Sequence, residues 1–249
     1  MHSRKKTVAA LLADQGFGSR KECGRMVWSG LVEVGNLVGA ELQWRKPKEP
    51  DEQLITEGLH LRVEGLTVPY LEELHVIVNK PIDTECSHTP SHHQSVFSML
   101  PEPFLRRGLE AVGRLDADTT GMLLFSDTGA FNHYFTSPKR HVPKTYRVGT
   151  KHSISPEQIN KLESGVALRS EDGPTLPAKI SILSEKLCDM TLEEGKYHQV
   201  KRMFGAVGNR VETIHRIAIG GLQMDEKLRA GQWRILTEVD LKLLGYKGK

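Results

Sequence analysis

Val8, Leu11 and Leu12 fall at helical spacing, and Gly16 closes that segment. Ser19-Arg20-Lys21-Glu22 then carries the capping-box pattern, a hydroxyl followed three residues on by a glutamate. It opens a second helix predicted to run to about Gly30. Leu31-Val32-Glu33-Val34 and Leu37-Val38 flank Gly35-Asn36, and this pattern predicts a hairpin turning at that pair. Glu64 to Pro69 has the composition of a connector.

Past that point the pattern changes. His75-Val76-Ile77-Val78 reads as a buried strand ending at Asn79-Lys80-Pro81, and the polar stretch to Ser95 is long enough to suggest a functional loop. Strands are predicted at Leu109–Val112 and Met122–Phe125, around a Gly-rich acidic turn, and at Thr145–Val148. Ser155-Pro156-Glu157 is a helix start, with Ser as N-cap and Pro at the first helical position. Further strands are expected near Ala178–Leu183, Met190–Leu192 and Val211–Ile219, with helices at about His198–Val207 and Thr237–Leu244. Strands and helices do not alternate regularly. The expected class is α+β, with a mixed, largely antiparallel sheet flanked by helices and loops.

Composition narrows the setting. No apolar run approaches the ~20 residues of a membrane span. The basic start, Met1 to Lys6, is not followed by the apolar stretch of a signal peptide. Cys23, Cys86 and Cys188 are odd in number and far apart, so no disulfide framework is indicated and a reducing cytoplasm is expected. The net charge of +3 is small, but its distribution is uneven. Residues 1–48 hold nine cations (Arg4, Lys5, Lys6, Arg20, Lys21, Arg25, Arg45, Lys46, Lys48) against four acids, an excess of five. Thr136 to Lys151 holds five cations (Lys139, Arg140, Lys144, Arg147, Lys151) and no acid. Either patch alone is an ordinary solvated face; together they suggest a polyanion held at two places.

Three segments carry chemistry. Gly113-Arg114-Leu115-Asp116-Ala117-Asp118-Thr119-Thr120-Gly121 places a carboxylate in a tight turn between apolar strands. Alone, such an aspartate is more often a turn residue bonding its own backbone than a nucleophile. A metal reading would want Asp116 and Asp118 together, and such a shared metal is not expected. Thr136 to Val148 surrounds Tyr146 with cations, a pattern suited to phosphates plus one base-stacking face, or else to a half-buried strand tyrosine. Glu194 to Phe204 puts Lys201 and Arg202 at the start of a helix, where the dipole disfavours them unless an anion is near. The same spacing also fits an amphipathic helix with Val200, Met203 and Phe204 in the core.

Taken in order, these segments resemble the pseudouridine synthases. Gly113-Arg114-Leu115-Asp116 with Asp118-Thr119-Thr120-Gly121 is similar to their catalytic motif. Asn79-Lys80-Pro81 matches the opening motif, and His215-Arg216 with Ile219-Gly220-Gly221 matches the closing one. Thr136-Ser137-Pro138, Lys144-Thr145-Tyr146 and Gly195 to Phe204 are similar to the small-subunit ribosomal RNA branch. The two helices and hairpin in front resemble an S4 RNA-binding module.

The resemblance implies an S4-like domain over residues 1–65, a linker over 66–72 and a pseudouridine synthase domain over 73–249. It implies Asp116 as nucleophile, Tyr146 stacking on the target uracil and able to take a proton, and Lys201 as the cation beside the nucleophile. Burial disfavours an ionised carboxylate, and a neighbouring cation offsets that. Arg202, one position on, is the alternative for that cation. Arg114 is the expected wedge or phosphate clamp while the uridine is flipped out. Lys80, Arg202, Lys139, Arg140 and Lys144 are expected on the RNA, and Arg20, Lys21 and Arg25 on RNA at the front domain. The implied partner is ribosomal RNA, as small-subunit RNA or an assembling small subunit. The protein is expected to be a cytoplasmic monomer without membrane association, and to use no metal or organic cofactor. Cys86, His88, His92 and His93 raise a zinc reading, but Pro90 breaks any helix aligning the histidines and only one thiol is present. Rival readings are a synthase acting on large-subunit RNA and a non-catalytic S4-type assembly factor.

Overall fold

A computed structural model describes residues 4–39 and 41–248, so the first three residues of the basic N-terminus lie outside it. The chain forms two compact units, Met1–Leu74 with Leu100–Leu109, and His75–Met99 with Glu110–Lys249.

In the first unit, β1 (Lys5–Thr7) leads into α1 (Val8–Asp14). The Thr7 hydroxyl caps α1 by accepting the Ala10 N–H at 3.3 Å, and Val8, Leu11 and Leu12 are buried. Next, α2 (Arg20–Trp28) has the reciprocal capping box, buries Cys23 and Val27, and exposes Arg20, Lys21 and Arg25. β2 (Val32–Val38), β3 (Glu41–Arg45), β5 (Leu59–Val63) and β6 (Leu66–Pro69) form an antiparallel sheet in the order β3-β2-β5-β6, while β4 (Gln53–Ile55) pairs with β1. A short helix, α3 (Glu102–Arg106), belongs to this unit and buries Phe104.

Two expectations are corrected here. Gly35-Asn36 is not a turn, because β2 runs through it unbroken. A side chain at Gly35 would put Cβ 2.7 Å from a ring carbon of Trp44, so this glycine makes room for the indole. Nor are residues 66–72 a plain linker. Glu64 (φ 48°) and Gly65 (φ 89°) are both left-handed, the two-residue turn whose twist suits a hairpin, and Leu66–Pro69 returns along β5.

The second unit contains β7 (His75–Lys80), β8 (Thr84–Glu85), β9 (Gln94–Ser95), β10 (Glu110–Ala111), β11 (Thr119–Ser126), α4 (Gly129–Thr136), β12 (Lys144–Thr150) and α5 (Pro156–Ser164). It continues with β13 (Lys179–Ser184), β14 (Leu187–Leu192), α6 (Gln199–Ala206), β15 (Val211–Ile219), β16 (Leu222–Gln223), β17 (Trp233–Ile235) and α7 (Glu238–Leu243). The main sheet runs β13-β14-β12-β15-β11-β7-β17, with β10 on β11 and β16 on β15. Among the described residues only the β11–β15 pairing in this sheet is parallel, which gives the mixed α+β layout. One core cluster gathers Ile77, Met122 and Leu124 with Phe131 and Phe135 of α4 and with Leu244. The other gathers Val148, Cys188 and Met190 under Leu162 of α5 and Met203 and Phe204 of α6. The first strand predicted around the acidic turn is shorter than expected, because Gly113 turns the chain at φ 74° two residues after Ala111.

Candidate active site

The central strands set the site. Gly121 of β11 lies beside Arg216 of β15, which lies beside Tyr146 of β12, with a register shift between Thr145 and Tyr146. Such a bulge re-aims the side chain that follows it. Gly121 has φ 103°, and a Cβ there would come within 2.4 Å of the Arg216 carbonyl oxygen, so no other residue lets the two strands approach this closely. The loop bearing Asp116 enters β11 two residues upstream of this row.

That loop is held from beneath by Lys80. Its side chain is fully buried, and Nζ donates to the carbonyls of Pro81 (3.0 Å), Ala117 (3.1 Å) and Thr119 (2.8 Å). Burial pushes the Lys80 ammonium below its usual pKa, partly countered by the charges of Cys86, Asp118, Asp116 and Asp83. The Asp83 N–H also donates to the Ala117 carbonyl (2.9 Å), and the Thr119 N–H donates to that of Asp116 (3.0 Å). Lys80 therefore cannot reach an RNA backbone. The expectation that it does so is corrected: its three donors serve the turn.

The facing wall is the segment Glu194 to Lys201. The Lys196 N–H donates to the buried Gln199 side chain (2.8 Å), whose amide donates on to Glu194 (2.6 Å). His198 follows in the left-handed region (φ 46°, ψ 37°) as the N-cap residue of α6. One turn into the helix, Lys201 Nζ lies 3.2 Å from Asp116 Oδ2 and 2.6 and 2.9 Å from the two Asp118 oxygens. Burial lowers the Lys201 pKa, but the Asp118 hydrogen bond and the two carboxylate charges outweigh it and raise the pKa overall. His198 Nε2 sits 3.4 Å from Asp116 Oδ1. The anion that two cations at a helix start require is thus the aspartate pair for Lys201.

Asp116 and Asp118 both precede β11 and lie in the loop that enters it. They converge on one ammonium. Asp118 and His198 were legible as members of the resembling segments but were given no role in the sequence.

Asp116, Arg114, Thr119, Tyr146, Ile214 and Lys201 are among the residues lining a cavity of about 130 Å³. Arg216 is buried behind it, donating from Nε to the Met122 carbonyl (2.7 Å) with its guanidinium 6.0 Å from the Tyr146 ring centre. Arg114 is exposed on the cavity wall. Arg202 turns away from Asp116. Its guanidinium pairs with Glu171 (2.8 Å) and donates to the carbonyls of Tyr197 (3.0 Å) and Arg169, so its expected contact with RNA is corrected to a brace for this wall. Lys144 is half-buried and donates to the Val142 carbonyl (3.2 Å), and burial with the Arg216 charge pushes its pKa down to about 8. That inward placement corrects its expected role as a phosphate contact. Lys139 and Arg140 are exposed, the latter stacked over Tyr134 at 4.9 Å.

The loop after Lys80 is closed by its own bonds. Glu85 accepts the N–H groups of Ser91 (2.9 Å), His92 (2.8 Å) and His93 (3.0 Å), and His88 pairs with Glu110 at 2.9 Å. Among the described residues no group of three or more His, Cys, Asp and Glu side chains is placed to hold a metal ion.

Comparison with known proteins finds relatives along most of the chain. Residues 74–206 match the model of the RNA pseudouridylate synthase family. The chain is 38% identical over 232 residues, 92% of its length and 95% of the relative's, to ribosomal small subunit pseudouridine synthase A of Vibrio parahaemolyticus. It is 39% identical over 239 residues, 94% and 96% of the two chains, to an uncharacterized RNA pseudouridine synthase of Bacillus subtilis. A crystal structure of a pseudouridylate synthase superposes with a TM-score of 0.66 at 32% identity, covering 96% of this chain and 99% of that one.

Proposed function

This chain belongs to the RNA pseudouridine synthase family, and on that premise we propose that it isomerises a uridine of small-subunit ribosomal RNA with Asp116 as nucleophile. The observation that carries the reading is the carboxylate of Asp116, paired to Lys201 at 3.2 Å, in a small cavity that Tyr146 also lines. The substrate class rests on the names of the full-length relatives, which act on the ribosomal small subunit.

In the reaction the N1–C1′ bond breaks and a C5–C1′ bond forms. The C5 proton leaves and N1, freed from C1′, gains a proton, so nothing is oxidised or reduced. The chemistry needs a nucleophile, a place to turn the detached base and a proton acceptor. Asp116 supplies the first. Tyr146 stacks its ring face on the uracil, and its hydroxyl is the group assigned to proton transfer. Lys201 keeps a positive charge against the carboxylate throughout, helped by Asp118, which fixes the ammonium from its far side. Redox neutrality means that no electron donor or acceptor is required.

A uridine stacked in RNA is out of reach until it is flipped, which costs stacking and pairing energy. Exposed Arg114 at the cavity wall is placed to hold the backbone of the extruded nucleotide, with Lys139 and Arg140 further out. The first unit, whose α2 exposes Arg20, Lys21 and Arg25 outside a four-stranded sheet, is an S4-like anchor for flanking RNA. The protein works in the cytoplasm, where this RNA is made.

Tritium release from C5-labelled uridine in small-subunit RNA, compared with large-subunit RNA, tests the reading. Release from the small-subunit RNA, free or partly assembled, is the expected result. Release from large-subunit RNA alone would overturn the substrate, and none from either would leave a non-catalytic RNA-binding protein.

A further inference from the structure

A second cavity, of about 530 Å³, adjoins the one that receives the target base. The two share Arg114, Leu115, Asp116, Gly195, Lys196 and His198, so a chain threaded through one continues into the other. The second is also walled by Tyr197, which is absent from the lining of the first.

Tyr197 is 71% exposed, so it holds no core together. Its ring lies 3.8 Å from that of His198 at 21° between planes, which leaves its other face open. The stack depends on a backbone conformation that side chains rarely adopt, His198 at φ 46°. Capping does not explain that conformation, because the His198 side chain makes no cap hydrogen bond to α6. What it does achieve is to place the imidazole between Asp116, at 3.4 Å, and the Tyr197 ring. Strain of this kind at the edge of a reactive carboxylate is a sign of a built surface.

From these observations we propose that the Tyr197–His198 stack is a platform for the base of the nucleotide next to the target uridine. The inference rests on the reading of the protein as an RNA uridine isomerase. Flipping one nucleotide leaves its neighbour without a stacking partner, and an aromatic face returns that contact whichever base it is. Exposed Arg114, on the wall common to both cavities and without an ion pair among the described residues, sits where the phosphate joining the two nucleotides would pass. The platform therefore positions substrate and takes no part in the bond changes.

The test uses the full-length protein and a labelled small-subunit RNA fragment, intact or with an abasic site on either side of the target. Tyr197→Ala is expected to raise KM about tenfold with a much smaller change in kcat, and Tyr197→Phe to stay within a few-fold of wild type. An abasic neighbour at one of the two positions should cost the wild type a similar factor and cost Tyr197→Ala nothing further. If Tyr197→Ala matches the wild type on intact RNA, or if the abasic penalty is equal in both proteins, the platform is refuted. Failure of the underlying reading looks different, since the wild type itself would then release no tritium from intact RNA.

Discussion

Replacing Lys80 by methionine separates two roles that a lysine in this position can have. The wild-type ammonium is fully buried and donates three hydrogen bonds to carbonyls at 2.8–3.1 Å. Hydrogen bonds to a charged group contribute roughly 1.5–3 kcal/mol each, and an acceptor left bare in the interior costs roughly 1–3 kcal/mol. Methionine keeps most of the volume and removes a buried charge whose desolvation is itself unfavourable, which offsets part of the loss. The net destabilisation is about 3 kcal/mol, or roughly 6–12 °C in Tm for a protein of this size. Because Lys80 holds the Ala117 and Thr119 carbonyls, the turn bearing Asp116 should also loosen, and kcat should fall by about a hundredfold, as for other small misplacements of a reacting group. Thermal unfolding, tritium-release kinetics and RNA binding across a salt series together form the assay. Affinity for RNA and its salt slope should not change. A reduced salt slope with unaltered Tm would refute the reasoning, because it would mean that Lys80 contacts phosphate.

Asp118→Asn should lower kcat/KM about tenfold by loosening Lys201, whose ammonium it holds at 2.6 Å, while RNA affinity is kept. A loss as deep as that of Asp116→Asn would instead make Asp118 the reacting carboxylate. Asp240 accepts from Arg234 (2.6 and 3.0 Å) and from the Thr237 N–H (2.7 Å) and hydroxyl (2.8 Å). Burial alone would raise its pKa, but these bonds prevail and bring it down to about 2 from 3.8. A depressed carboxylate stabilises the fold above its unfolded pKa and loses that contribution as pH falls through the folded value. Asp240→Asn should therefore cost about 2 kcal/mol at pH 7 and almost nothing near pH 2, as read from denaturant midpoints across that range. Changing Arg20, Lys21 and Arg25 together to alanine should reduce the slope of log K against log salt by about 2, at ~0.7 per phosphate contact, with far-UV circular dichroism unchanged. An unaltered slope would remove α2 as an RNA anchor.

What could be read from the chain followed the strength of local signals. Helix starts with a hydroxyl cap were legible, and Ser19 and Ser155 both cap as expected, while Thr237, read as the first residue of a helix, is its cap. By contrast α4 passed unpredicted: Thr128 makes no side-chain cap bond, and its buried Phe131 and Phe135 sit in a short aromatic run. Glycine was ambiguous. Gly35 reads as a turn but sits in a strand to clear Trp44, whereas Gly65 reads as a linker but completes a hairpin. Asp116 and Lys201 were legible as motif members, and the fold brings them to 3.2 Å although they lie 85 residues apart. Which cations face outward was not legible. Lys80, Lys144 and Arg202 look like Lys139 and Arg140 in sequence, and only their positions in the fold turn the first three onto carbonyls and Glu171.

The most direct test of the central claim compares wild-type protein with Asp116→Asn for tritium release from C5-labelled small-subunit RNA, with RNA binding measured alongside. The side chain is isosteric, so binding should persist while release falls by on the order of a thousandfold or more. Release by Asp116→Asn within tenfold of wild type would contradict the account, because the reaction would then not depend on the carboxylate at Asp116.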